Sequence, residues 1–188
     1  MIGTIKMVNL DRGFGFLKVK NQEDVHFSFR NISDSIDESE LVEGNSFEFD
    51  IKPQGGGKTT ALLKKKYIDP ALSFFLENAL NLTEEKYDDF CDYARNYAEK
   101  LKKGKVTTSM IRKVYSRIMN ASDPMEIKLL RPQFAYLAGR NEKIPQLKEF
   151  MGILDQLAKK IGNQEDVNNF KKFMEAIVAY RKYVGNDK

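Results

Sequence analysis

Apolar and polar positions change period once along the chain. Up to about residue 65 they alternate, the period of two that sends successive side chains to opposite faces of a strand. Five segments carry this pattern: Gly3–Val8, Gly15–Lys20, Asp24–Phe29, Ser46–Ile51 and Thr59–Leu63. Between them lie Asn9–Gly13, a polar stretch from Ser33 to Gly44, and Pro53–Gly57 with three consecutive glycines. Short strands joined by glycine-rich turns predict a small closed β-barrel rather than a sandwich. The run Lys64-Lys65-Lys66 followed by Asp69-Pro70 reads as a seam, and after it the period is helical.

The helical patterns are long and each has its own punctuation. Leu72, Phe75, Leu76, Ala79 and Leu80 form one stripe. Tyr87, Phe90, Ala94, Tyr97, Ala98 and Leu101 form a second, with Thr83 as N-cap and Gly104 as stop. Met110, Ile111, Val114, Tyr115, Ile118 and Met119 form a third, opened by Thr107 or Thr108. Asp123-Pro124, a cap followed by proline at the first helical position, starts a fourth that Pro132 kinks or splits. Leu147, Phe150, Leu154, Leu157 and Ile161 give a fifth, and Val167, Phe170, Met174, Ile177 and Val184 a sixth. The expected fold is α+β with two domains, a five-stranded OB-type β-barrel over residues 1–66 and an all-α helical bundle over 67–188.

Composition narrows the function. With 41% hydrophobic residues among 188, the chain can bury a core. No window approaches the roughly 18 consecutive apolar residues of a spanning helix, and the N-terminus lacks a signal-peptide layout, so a cytoplasmic protein without membrane contact is expected. One cysteine, Cys91, and one histidine, His26, build neither a disulfide nor a metal centre on their own. A Ser-His-Asp arrangement would hang on His26 alone, Cys91 reads as helix packing, and Asp88, Asp89 and Asp92 read as an exposed acidic helix face. The expectation is a non-enzyme with no catalytic residue, cofactor or metal. Gly55-Gly56-Gly57-Lys58-Thr59 imitates the tail of a phosphate-binding loop, but Lys52 stands where its first glycine belongs and strand follows where helix is needed. It reads as a turn between barrel strands.

The net charge of +4 conceals an uneven layout. Basic and acidic residues cancel over residues 1–66, at 10 each. Residues 67–98 hold 2 basic against 7 acidic, whereas 99–140 hold 10 basic against 3 acidic. Adjacent stretches of opposite sign suit two partners, or head-to-tail contact between copies; a one-sign stripe suits a polyanion. Lys100, Lys102, Lys103 and Lys105 crowd the end of the second helical pattern. In the third, Arg112, Lys113, Ser116 and Arg117 lie opposite the stripe of Ile111, Val114 and Ile118, a face that can meet phosphates without reading bases. Arg131 and Arg140 flank Phe134 and Tyr136 and serve either RNA contact or intrachain ion pairing.

In the first half, Arg12-Gly13-Phe14-Gly15-Phe16-Leu17 puts two phenylalanines on one strand face beside glycines that leave the rings uncovered. With Lys6, Asn9 and Asp24-Val25-His26-Phe27-Ser28-Phe29, this segment resembles the cold-shock domain family over residues 1–64. The resemblance implies single-stranded RNA or DNA stacked on Phe14, Phe16, His26 and Phe29, with Lys6 and Arg12 at phosphates. Met7 stands where the family has an exposed tryptophan, His26 replaces a phenylalanine, and Ser28 replaces a histidine. Plain alternation turns Phe29 inward, so its exposure rests on the resemblance. A barrel that docks on a protein partner is the other reading.

In the second half, Thr107–Lys113, Leu130–Arg140 and Phe173–Tyr183 resemble, in order and spacing, the small subunit of type III-A CRISPR–Cas effector (Csm) complexes. That resemblance implies a bundle that stacks head to tail in an effector filament with other subunits, along guide and target RNA. Arg112, Lys113, Arg131 and Arg140 are its candidate RNA or subunit contacts, and charge adds Lys103, Lys105 and Arg117. A barrel in front of such a subunit departs from that pattern. A free-standing cold-shock-type RNA chaperone with a helical assembly domain is the alternative.

Overall fold

The computed structural model describes residues 1–54, 56 and 58–185. These form two compact units, Met1–Ile68 and Asp69–Lys188.

The first unit has five strands: β1 (Ile2–Asn9), β2 (Phe14–Val19), β3 (Val25–Ile32), β4 (Ser46–Gln54) and β5 (Lys58–Lys66). They close as a barrel in the order β1-β2-β3-β5-β4, with β3 and β5 parallel and the other pairs antiparallel. Ile5, Leu17, Phe27, Phe47, Phe49, Ala61 and Leu63 fill the interior, as alternation predicts. The strands outrun their apolar patterns. The three lysines read as a seam continue β5, pairing with β4 from Phe47↔Lys66 onward. Their side chains meet Asp50, Glu48 and Glu40, and these ion pairs let a polar run stay in a sheet. Gly55 and Gly57 of the predicted turn lie outside the described residues; the strands on either side pair at Gln54↔Lys58.

The register of β1 against β2 slips between Ile5 and Met7, a bulge at Lys6. It leaves both Lys6 and Met7 exposed and sets Met7 opposite Phe16. Gly15 has an inward role that its aromatic neighbours conceal. A Cβ there would lie 2.6 Å from the Met7 carbonyl oxygen and from the Phe27 ring.

Among the described residues the second unit has seven helices: α1 (Pro70–Asn78), α2 (Tyr87–Lys103), α3 (Thr108–Asn120), α4 (Pro124–Leu129), α5 (Arg131–Arg140), α6 (Pro145–Lys160) and α7 (Gln164–Tyr183). Asp69, Thr107, Asp123 and Asn163 cap α1, α3, α4 and α7 with side-chain oxygens that accept first-turn N–H groups. Pro132, in the first turn of α5, splits the fourth pattern rather than kinking it. Thr83 caps only a short 3₁₀ turn, Glu84–Lys86, without a side-chain bond, and α2 starts after that turn.

The end of α2 is a Schellman motif. Val106 N–H donates to Leu101 O and Lys105 N–H to Lys102 O, both at 2.9 Å, with Val106 and Leu101 buried together. The left-handed residue is Lys105, at φ 60°, one position after the glycine expected to stop the helix. Gly104 leaves room for the Gln146 side chain, since a Cβ there would lie 2.4 Å from Gln146 Cγ.

An aromatic centre joins the bundle: Phe75, Phe90, Tyr97 and Phe173 are buried, with ring centroids 5.1–6.4 Å apart where they meet. Around it Lys100 of α2 donates to Asp69 and Glu149, both at 2.9 Å, and Tyr97 Oη donates to Glu149 at 3.1 Å. Burial and the neighbouring Glu149 push the Tyr97 hydroxyl well above its ordinary range. Burial opposes the charge on Lys100, but the two carboxylates outweigh it and raise its pKa.

Candidate nucleic-acid interface

On the barrel, β2 and β3 pair as Phe16↔His26 and Phe14↔Ser28. Outward alternation therefore gathers Phe14, Phe16 and His26 into one group of rings. Phe14 lies 5.9 Å from His26 with planes 26° apart, and Phe16 meets both edge-on at 6.1 and 5.6 Å. His26 Nδ1 sits 3.3 Å from Thr60 Oγ1, and that hydroxyl is also 3.2 Å from the His26 carbonyl. The imidazole is thus tied to β5 and held against the phenylalanines. Met7, opposite Phe16, extends the apolar surface without adding a ring.

Phe29, which the resemblance puts with these rings, is turned the other way. It stacks on the buried Phe27 at 6.3 Å with planes 8° apart and packs on the barrel core. The alternation of β3 decides its side. Lys6 is exposed but pairs with Asp24, and Arg12 is exposed with its backbone N–H on Asn9 Oδ1. An open groove of about 840 Å³ runs beside Phe16 and His26, bordered by Asp24, Gln54, Lys58 and Thr59. Lys58 thus reaches the edge of the ring surface, a place hidden in sequence by its position in the glycine run.

On the bundle, Arg112, Lys113, Ser116 and Arg117 are exposed on α3, opposite the buried Ile111, Val114 and Ile118. Arg117 donates to Gln133 of α5. Arg140 is exposed at the end of α5, on the same helix as Tyr136, which is 67% exposed, whereas Phe134 is buried.

Arg131 stands apart. Its Nε donates to Asp155 Oδ1 at 2.7 Å, an ion pair that joins α5 to α6, and Lys159 shares the same carboxylate. The hydrogen bond from Arg131 holds the Asp155 carboxyl below its ordinary range. Of the two readings open for Arg131, this is the intrachain one. Lys103 is exposed 3.9 Å from Glu99, and Lys105 is exposed on its left-handed turn. Asp88, Asp89 and Asp92 are exposed on α2, and Cys91 packs half-buried against the bundle core. Among the described residues no group of three His, Cys, Asp or Glu side chains is placed to hold a metal, and no helix is long and apolar enough to cross a membrane.

The fold and these two surfaces define a two-domain α+β protein, an OB-type barrel with a ring-bearing face followed by a helical bundle with a cationic one. Residues 84–187 match the family model described as Csm2 Type III-A, and residues 1–64 match the "cold-shock" DNA-binding domain. The chain therefore belongs to the type III-A Csm2 family, with a cold-shock domain in front of the family's helical domain. The cold shock proteins CspA of Staphylococcus saprophyticus and Staphylococcus haemolyticus are each 36% identical to it over 63 residues, 34% of this chain and 94% of theirs.

Proposed function

We propose that the protein is a non-enzymatic, RNA-binding small subunit of a type III-A CRISPR–Cas effector complex, working in the cytoplasm in antiviral defence. Copies stack head to tail beside the other subunits and hold guide and target RNA through the sugar-phosphate backbone. The observation that carries this reading is the exposed cationic face of α3, Arg112 and Lys113 above all, in a chain of the Csm2 family. Exposed guanidinium and ammonium groups neutralise phosphates whatever the base sequence, which suits a subunit that serves many guides. The acidic α2 face of one copy, with Asp88, Asp89 and Asp92, is complementary to the basic α3 face of the next.

The barrel adds stacking. Phe14, Phe16 and His26 offer a sequence-tolerant surface worth about 1–3 kcal/mol per stacked base. That ring group also favours a second reading, a cold-shock-type RNA chaperone that works outside any complex.

The test is reconstitution of the effector from its other subunits and guide RNA, with this chain or its Arg112→Glu/Lys113→Glu variant, followed by footprinting of bound target RNA. The proposal expects protection along the target that needs this chain and disappears with the variant. A complex that forms without the chain and protects the target equally well would leave the chaperone reading in its place.

A further inference from the structure

α3 and α7 pack against each other, and a hydrogen bond from Arg181 to Val106 O puts the end of α7 near the beginning of α3. An open groove of about 470 Å³ lies there, lined by Thr108, Ser109, Arg112 and Lys113 of α3 and by Lys182 of α7. All three cations are exposed, and among the described residues none of them pairs with a carboxylate. Elsewhere in the bundle Lys100, Arg131 and Lys159 have their acidic partners at 2.7–3.0 Å.

Lys182 stands on a fixed frame. Its neighbour Arg181 is 2% exposed and donates from Nε to Val106 O, at 2.8 Å, in the connection between α2 and α3. From the end of α2, Lys102 Nζ donates to Val184 O at 2.5 Å. Two ties therefore hold the last turn of α7 near the start of α3, and Lys182 on that turn lines the groove with Arg112 and Lys113. Three like charges gathered without counter-charges repel one another, and an anion between them relieves the repulsion. The groove is open to solvent, so a polymer can reach its three cations.

We propose that Lys182 completes a phosphodiester clamp with Arg112 and Lys113, and that the groove between α3 and α7 receives consecutive phosphates of single-stranded RNA. The inference rests on the RNA-holding role of Arg112 and Lys113 and adds a cation from the opposite end of the bundle's sequence. It gives the RNA a bend point, because the phosphates meet cations from two helices rather than a row along one.

The test is fluorescence anisotropy of a labelled single-stranded RNA of about 30 nucleotides against the full chain across a salt series. It compares the unsubstituted protein with Lys182→Glu, Lys182→Gln, Lys182→Arg and Arg112→Glu/Lys113→Glu. Lys182→Gln should weaken binding about fivefold at low salt, with Lys182→Glu weaker still. Its log–log salt slope should become shallower by about 0.7, the value for one phosphate that is no longer neutralised. Lys182→Arg should bind like the unsubstituted chain. If the glutamate and glutamine variants keep full affinity and slope while Arg112→Glu/Lys113→Glu loses both, Lys182 is outside the clamp and the inference falls, with the RNA-holding role intact. If Arg112→Glu/Lys113→Glu also binds normally, the role itself falls. Unchanged RNA binding with failure of docking between copies would make the groove a protein interface and overturn the clamp.

Discussion

The two units use aromatic rings and cations in opposite ways. In the barrel four lysines are matched: Lys6 with Asp24, Lys64 with Asp50, Lys65 with Glu48, and Lys66 with Glu40. What the β2–β3 face presents instead is Phe14, Phe16 and His26. In the bundle the clustered rings of Phe75, Phe90, Tyr97 and Phe173 are buried, and Arg112, Lys113 and Lys182 face outward unpaired with any carboxylate among the described residues. A polyanion would thus meet stacking surface on one unit and charge on the other. The near-zero net charge of the barrel therefore does not argue against a nucleic-acid surface there, because stacking needs no net charge. The two contributions are also separable, since salt screens one and hardly touches the other.

Substitutions on each unit put this contrast under strain. The largest effect is expected from Arg112→Glu/Lys113→Glu, which should cut single-stranded RNA affinity on the order of a hundredfold at low salt and flatten the salt slope by about 1.4. Phe14→Ala/Phe16→Ala should lose about 1–3 kcal/mol for each base no longer stacked and leave the slope unchanged, as titrations at several salt concentrations will show. Gly15→Ala attacks the support of the ring surface by forcing a methyl against Phe27 and the Met7 backbone. It should destabilise the barrel by about 1–3 kcal/mol in a denaturant titration.

Arg131→Ala should cost less than about 1 kcal/mol, because the pair it breaks is 39% and 30% exposed, and should barely change RNA binding. The pH dependence has a definite sign. The folded-state pKa of Asp155 is depressed, so its contribution is complete above the unfolded value of about 3.9 and is lost as pH falls through the folded value. Arg131→Ala should weaken that acid sensitivity in denaturation curves below about pH 4. One substitution should bring a gain of similar size: Lys105→Gly relieves a left-handed lysine at the end of α2 and should stabilise the bundle by about 1 kcal/mol in a denaturant titration.

Most of the architecture is legible because it is local. Alternation marks the five strands, and the caps Thr107 and Asp123 announce their helices at one or two positions. The misplaced features depend on partners far along the chain. Lys64, Lys65 and Lys66 look like a linker until Asp50, Glu48 and Glu40 are beside them. Arg131 reads in sequence as either an RNA contact or an ion-pair residue, and only the fold brings Asp155, from another helix, against it. Gly15 looks like a cover left off the rings, although the backbone and ring that exclude a side chain come from β1 and β3. Lys182 carries no local signal at all. It sits in a helix with two other lysines, Lys171 and Lys172, and only the packing of α7 on α3 singles it out.

The most direct test of the division of labour is one salt series on single-stranded RNA, with Phe14→Ala/Phe16→Ala and Arg112→Glu/Lys113→Glu run beside the unsubstituted chain. Stacking on the barrel and charge on the bundle predict that the aromatic variant gives a line parallel to the unsubstituted protein and below it. The charge variant should give a shallower line that converges with it at high salt. An aromatic variant that flattens the slope, or a charge variant that leaves it unchanged, would contradict the account.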